Sequence, residues 1–136
     1  MEAAMNALNY GFDAVIVVHM TAAFLAIGVG AFAFVARKGS LAHRAAGRSW
    51  VLLMLVAAIS SFWIRATGHF SAIHLLSVAL PVLLGLGVYF AATGRVRRHR
   101  AMMLGIYAGG LGIAGLFTLL PNRLLGHLLW TSLGLI

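Results

Sequence analysis

The chain of 136 residues contains no cysteine, two acidic residues and one lysine. Without cysteine, disulfides, iron–sulfur clusters and thiolate zinc sites are excluded. With Glu2 and Asp13 as the only acids, paired-carboxylate acid/base chemistry has no residues to use. The same shortage argues against a carboxylate-rich di-iron centre and against proton coupling through a carboxylate within a membrane span. No phosphate-cradling glycine motif followed by Lys and Ser/Thr occurs. Ser60, Ser61 and Thr118 read as helix glue rather than nucleophiles.

What the chain has in abundance is apolar side chains. Hydrophobic residues make up 62% and charged residues 9%, well outside the composition of a soluble domain. A bilayer-crossing helix needs about 20 apolar residues. Four stretches qualify, at about 14–35, 45–64, 71–92 and 101–120. Backbone groups in hydrocarbon must be satisfied within their own segment, so these are predicted to be helices. The expected architecture is all-α: one transmembrane domain, 1–136, forming an up-down-up-down four-helix bundle. It is built from two helix hairpins, about 14–64 and 71–120. The tail 121–136 is too short to span and is predicted to form an interfacial helix. The N-terminal segment lacks a positive n-region and a cleavage site, so it is expected to be retained.

The net charge of +8 resides mostly in two clusters. Arg37, Lys38, Arg44 and Arg48 lie around the first connection; Arg95, Arg97, Arg98 and Arg100 lie around the third. Arg65 and Arg123 are the two exceptions. This asymmetry predicts that those connections are cytoplasmic and both termini periplasmic. The excess of arginine over lysine, with abundant Ala, Gly and Leu, suggests a GC-rich bacterial genome, hence an inner membrane. No base-reading element accompanies the charge, so nucleic acid is not an expected partner. The lipid bilayer, with its anionic headgroups, is.

The chain also repeats itself. Val18-His19 is followed by Gly30, Gly39 and His43-Arg44-Ala45; Ile73-His74 is followed by Gly85, Gly94 and His99-Arg100-Ala101. The glycines fall 11 and 20 residues after the first histidine in both halves, and the His-Arg pair falls 24 or 25 residues after it. Ionisable residues within spans usually face the bundle interior or a cavity. In an up-down-up-down bundle the first and third helices are diagonal and run in the same direction. His19 and His74 are therefore predicted to face each other at similar depth. The helical offsets below them give Ala23, Ala26 and Gly30, and Val78, Pro81 and Gly85. Two imidazoles above small residues suit axial ligation of a haem; the competing reading is close helix packing. His43 and His99, on the other diagonal, are read either as a second bis-histidine site or as interfacial residues. Arg44 and Arg100 are candidate holders of a cofactor's carboxylates. His69 and His127, on the outer side, offer an alternative metal site with His19 and His74. Pro81 frees the Ser77 carbonyl one turn after His74, and is read chiefly as a packing bend.

His19 in the first span, His43-Arg44-x-x-Gly47-Arg48 opening the second and His99-Arg100-x-Met102-Met103 opening the fourth resemble a bacterial family of predicted membrane proteins of unknown function. The resemblance covers most of the chain. More distantly, the arrangement is similar to the cytochrome b561-like two-haem architecture. That likeness implies haem b ligands at His19 with His74 and at His43 with His99, with the second pair nearer the membrane surface than in that architecture. The leading expectation is a small b-type haem protein, an electron-transfer component rather than a stand-alone enzyme, with a quinone or protein redox partner. The alternatives are a non-catalytic subunit of a larger respiratory or photosynthetic membrane complex, and a membrane protein with a periplasmic-side histidine metal site.

Overall fold

The computed structural model describes residues 1–2, 14–62, 72–120 and 124–135. Among them all regular structure is helical. Helix α1 covers Ala14–Val35, α2 covers Leu41–Ser61 and α3 covers Ala72–Ala92. Helix α4 (Val96–Ile106) runs on through a π-helical segment, Tyr107–Ile113, into α5 (Ala114–Thr118). Helix α6 covers Leu124–Ser132. Helices α2 and α4 begin a few residues before the apolar runs, and His43-Arg44 and His99-Arg100 open them, in or next to their first turns, as the sequence reading expects. Hydropathy marks where lipid can be tolerated; arginine is a good helix former and extends the helix beyond that limit.

The two hairpin turns explain one pair of repeated glycines. Gly39 and Gly94 have φ of +78° and +76°. Side chains with a Cβ avoid that region, and glycine does not. After α3 the Arg95 N–H reaches back to the Phe90 carbonyl at 2.8 Å, closing the helix in the manner of a Schellman turn. After α1 the chain is caught differently. Lys38 Nζ donates to the Ala33 carbonyl at 3.0 Å, and Ser40 caps α2 by accepting from the His43 N–H at 3.1 Å.

Helix α1 packs most extensively on α2, α3 on α4, and α2 on α3, while the π segment returns to α1. The core lies where these seams meet: Ala26, Trp50, Met54, Ala58, Leu80, Leu84 and Ile106. Met54 and Leu84 are its most enclosed large side chains. Much of the remaining apolar surface points outward, including Phe24, Leu52, Leu75 and Val82. Outward-facing apolar side chains of this kind suit a lipid environment. Two helical stretches, Ala14–Val35 and Leu75–Ala92, are long and apolar enough to cross a membrane. Helix α2 is long enough but carries Arg44 and Arg48 in its first two turns, which dilute its apolar stretch, and α4 has 11 residues before the π segment begins. The tail expected at the interface contains α6, which is tied to the end of α5 by Trp130 Nε1 donating to the Leu119 carbonyl at 2.8 Å.

Candidate functional site

His19, His43 and His99 share one feature. In each, ring Nδ1 lies 2.8 Å from a backbone carbonyl of the neighbouring helix: Ala57 for His19, Ala33 for His43 and Gly87 for His99. A carbonyl can only accept. Nδ1 must therefore carry a proton, and in the neutral ring it is Nε2 that keeps the lone pair. This is the arrangement that orients an imidazole for metal ligation, because the second-shell hydrogen bond fixes both tautomer and ring plane.

His19 stands apart in what surrounds it. Its Nδ1 is also 3.1 Å from Ser60 Oγ, which itself donates back to the Ala57 carbonyl at 3.1 Å. The next residue, Ser61, donates to the Ala58 carbonyl at 2.7 Å, and its hydroxyl meets that of Ser77 on α3. All three serines are buried. A polar layer thus runs from α1 through α2 to α3 inside apolar helices. Serine follows an apolar helix easily because its hydroxyl can bond a carbonyl of the preceding turn. Position 74 lies on α3, three residues before Ser77. The side chain of His74 lies outside the described residues, so the expected His19–His74 pairing is not addressed directly. Ser77 was not picked out for its hydroxyl; a serine one turn after a histidine in an apolar helix was the available signal.

His43 and His99 occupy equivalent places in the two hairpins. Each sits in the first turn of the returning helix and reaches back to the outgoing one. For His43 the acceptor is one of the carbonyls that a helix end leaves without an internal partner. Both residues act as clamps across their hairpins in this geometry. Arg44 and Arg100 beside them are exposed.

The glycines matched by the repeat do not share one environment. Gly30 is buried, and the room it leaves is taken by two rings. A Cβ added there would lie 2.5 Å from Tyr107 Cε2 and 2.7 Å from Trp50 Nε1. Gly85 is exposed, and a Cβ added there would meet nothing within 4 Å. On α3 the buried glycine is Gly87, packed against Met103. The buried line of α1 runs through Ala22, Ala26 and Gly30, so Ala22 rather than Ala23 faces inward. On α3 the buried positions are Ser77, Leu80, Leu84 and Gly87, while Val78 faces outward.

The ring cluster at Gly30 has its own logic. Tyr107 meets Phe34 edge-on, with centroids 5.1 Å apart, and its hydroxyl donates to the Ile27 carbonyl at 2.9 Å. Trp50 lies at 6.4 Å from Tyr107, and its Nε1 is buried without a hydrogen-bond partner among the described residues. Tyr107 opens the π segment. The wider π turn shifts register by one residue, a common device for re-aiming a side chain near functional sites.

The outer metal site has less to build on. His127 is exposed on α6, and His69 and Asp13 lie outside the described residues. Among the described residues there is no group of three or more His, Asp or Glu side chains able to hold a metal ion.

No curated protein and no solved structure matches the chain. Residues 16–121 match the family described as predicted membrane protein (DUF2306), a span that runs from the first turn of α1 past the end of α5 and takes in both His-Arg pairs. The chain therefore belongs to the DUF2306 family of predicted membrane proteins.

Proposed function

We propose that this protein crosses the bacterial inner membrane four times and holds one haem b, through His19 on α1 and His74 on α3, for electron transfer. The observation that carries the proposal is the Nδ1 donation from His19 to the Ala57 carbonyl at 2.8 Å. It leaves Nε2 as an aprotic donor in an apolar setting, which is the chemistry an axial imidazole requires. The serine layer supports the pairing, since it reaches α3 at Ser77, within one turn of position 74. When bound, the haem supplies one-electron redox chemistry, and the protein supplies ligation and a low-dielectric surround. Gly30 and Gly85 are left out of the cofactor site, the first because rings fill its space and the second because it faces outward.

His43 and His99 are assigned a structural role in this reading, each tying its hairpin together next to a basic connection. Arg44 and Arg100 remain at the surface and are not assigned to the cofactor. The eight cations around the two hairpin turns orient those turns to the cytoplasm, which puts both termini in the periplasm. A quinone or a protein redox partner would exchange electrons with the haem.

The test is an absorbance spectrum of the detergent-purified protein, oxidised and then reduced with dithionite. Sharp reduced bands with a Soret peak support the proposal, as does their loss in His19→Ala and their retention in His127→Ala. A colourless protein that co-purifies with other chains would refute it in favour of a non-catalytic subunit. A colourless protein with bound zinc or copper would refute it in favour of an outer metal site.

A further inference from the structure

We infer that Ser60 is a positioning residue for His19: its hydroxyl oxygen takes a share of the Nδ1 proton, fixes the ring plane and strengthens Nε2 as a donor. The consequence for redox chemistry rests on the haem reading above, while the contact itself is testable without haem.

Three matching histidines differ in one respect. His43 and His99 each reach one carbonyl of the neighbouring helix at 2.8 Å, and neither ring has a second acceptor among the described residues. His19 reaches the Ala57 carbonyl at the same 2.8 Å and also meets Ser60 Oγ at 3.1 Å. Ser60 Oγ in turn donates to the Ala57 carbonyl at 3.1 Å. The three atoms close a triangle across the α1–α2 seam.

Proton counting assigns each corner. The carbonyl only accepts. The serine proton is committed to that carbonyl, so the oxygen meets Nδ1 with a lone pair. The Nδ1 proton is then shared between two acceptors, a three-centre bond. One acceptor lets an imidazole swivel about the hydrogen bond; a second, on another atom, restricts its plane. A serine that did no more than satisfy its own hydroxyl in an apolar helix would need only the back-bond to Ala57. Ser61 makes such a bond to Ala58, and its other contact is the Ser77 hydroxyl, not a histidine. Ser60 is buried, and its other contact is His19 Nδ1.

Acceptors on Nδ1 raise the basicity of Nε2, so a ligating imidazole favours ferric over ferrous iron. Removing the Ser60 hydroxyl has two opposed effects. The Nδ1 proton loses an acceptor, and the Ala57 carbonyl, relieved of one donor, accepts slightly better. The second effect is a polarisation of about 10–30% of one bond. The direct loss therefore sets the sign.

The test compares Ser60→Ala, Ser60→Thr and Ser61→Ala in the full detergent-purified chain. With isotopically labelled histidine, NMR of the haem-free protein reads the Nδ1-bound proton of His19. It should move upfield in Ser60→Ala and keep its wild-type position in Ser60→Thr, which retains the hydroxyl, and in Ser61→Ala. In haem-loaded protein, Ser60→Ala should keep its haem, because the Ala57 carbonyl still holds the ring. Its midpoint potential should rise, with the ferrous-to-ferric ratio at a fixed applied potential up by about two- to tenfold, the range one net hydrogen bond allows. Ser60→Thr and Ser61→Ala should match wild type. An unmoved Nδ1 proton in Ser60→Ala, or an equal shift in Ser61→Ala, would overturn the inference. So would an unchanged or lowered potential in Ser60→Ala. If no variant takes up haem while the Nδ1 proton moves as expected, the haem reading fails and the positioning contact stands.

Discussion

Two glycines two residues apart on α1 separate close packing from helix propensity. Gly30 faces inward, and an added Cβ would come within 2.5 Å of the Tyr107 ring and 2.7 Å of Trp50 Nε1. Neither neighbour is the loose end of a flexible chain. Trp50 is buried in the core, and Tyr107 is held at its far end by the hydrogen bond to Ile27. Relief must therefore come from moving α1 away from α2 and the π segment. Overpacking of this kind costs about 1–3 kcal/mol. Gly28 has open space around it, so alanine there adds no clash. Replacing a helical glycine with alanine contributes about 0.5–1 kcal/mol of stability at either position. That term cancels in the difference between Gly30→Ala and Gly28→Ala, leaving the clash. The two variants should differ by about 1–3 kcal/mol, which is about 5- to 150-fold in the folding equilibrium. The assay is reversible unfolding by dodecyl sulfate in mixed micelles, followed by helical circular dichroism and tryptophan fluorescence. Gly30→Ala matching Gly28→Ala in stability would refute the packing argument. Gly87→Ala should fall between them, because the atom it meets is the terminal methyl of Met103, which can swing aside.

Three further outcomes follow from the same geometry. His43→Ala and His99→Ala each remove one interhelical hydrogen bond and should each cost about 0.5–1.5 kcal/mol. They lie in different hairpins, so a double variant in the same unfolding assay should show additive losses. A double-mutant cycle on Ser61→Ala and Ser77→Ala should give a coupling of about 0.6 kcal/mol, the average for hydrogen bonds between membrane helices. A coupling of zero would break the polar layer that links α2 to α3. For topology, Arg37→Cys and Arg97→Cys should resist a membrane-impermeant thiol reagent in intact spheroplasts, and Ala66→Cys should react. The reverse pattern would invert the proposed orientation.

The helical nature of the chain was legible from its apolar runs, whereas Gly39 and Gly94 were legible as matched positions of the repeat but not as its hairpin turns. Both features depend on local chemistry: backbone satisfaction in an apolar medium and positive φ without a Cβ. Which face of each helix turns inward was less legible. Stepping down from His19 reached Ala26 and Gly30 but took Ala23 where Ala22 is buried, and stepping down from His74 led to Gly85, which is exposed. A face spans about a third of a turn, so several neighbouring positions satisfy the same offsets. Ala, Gly and Leu, all acceptable to lipid, do little to choose among them. The π segment left no sequence signal, because its extra residue is decided by what Tyr107 packs against, not by the propensity of Tyr107–Ile113. His43 and His99 were recognised as equivalent, but the carbonyls they bond, Ala33 and Gly87, come from the partner helix and are fixed only by its docking.

The measurement that bears most directly on the account is the haem count per chain by pyridine haemochrome on purified protein. The account predicts one haem, lost in His19→Ala and in His74→Ala and retained in His43→Ala and His99→Ala. His19 has its ring nitrogen fixed by the Ala57 carbonyl within the serine layer, whereas His43 and His99 clamp the two hairpins at the basic end. Two haems falling to one in His99→Ala would contradict the structural assignment of that pair and make the protein a two-haem conduit across the membrane. No haem at all would contradict the proposed function itself.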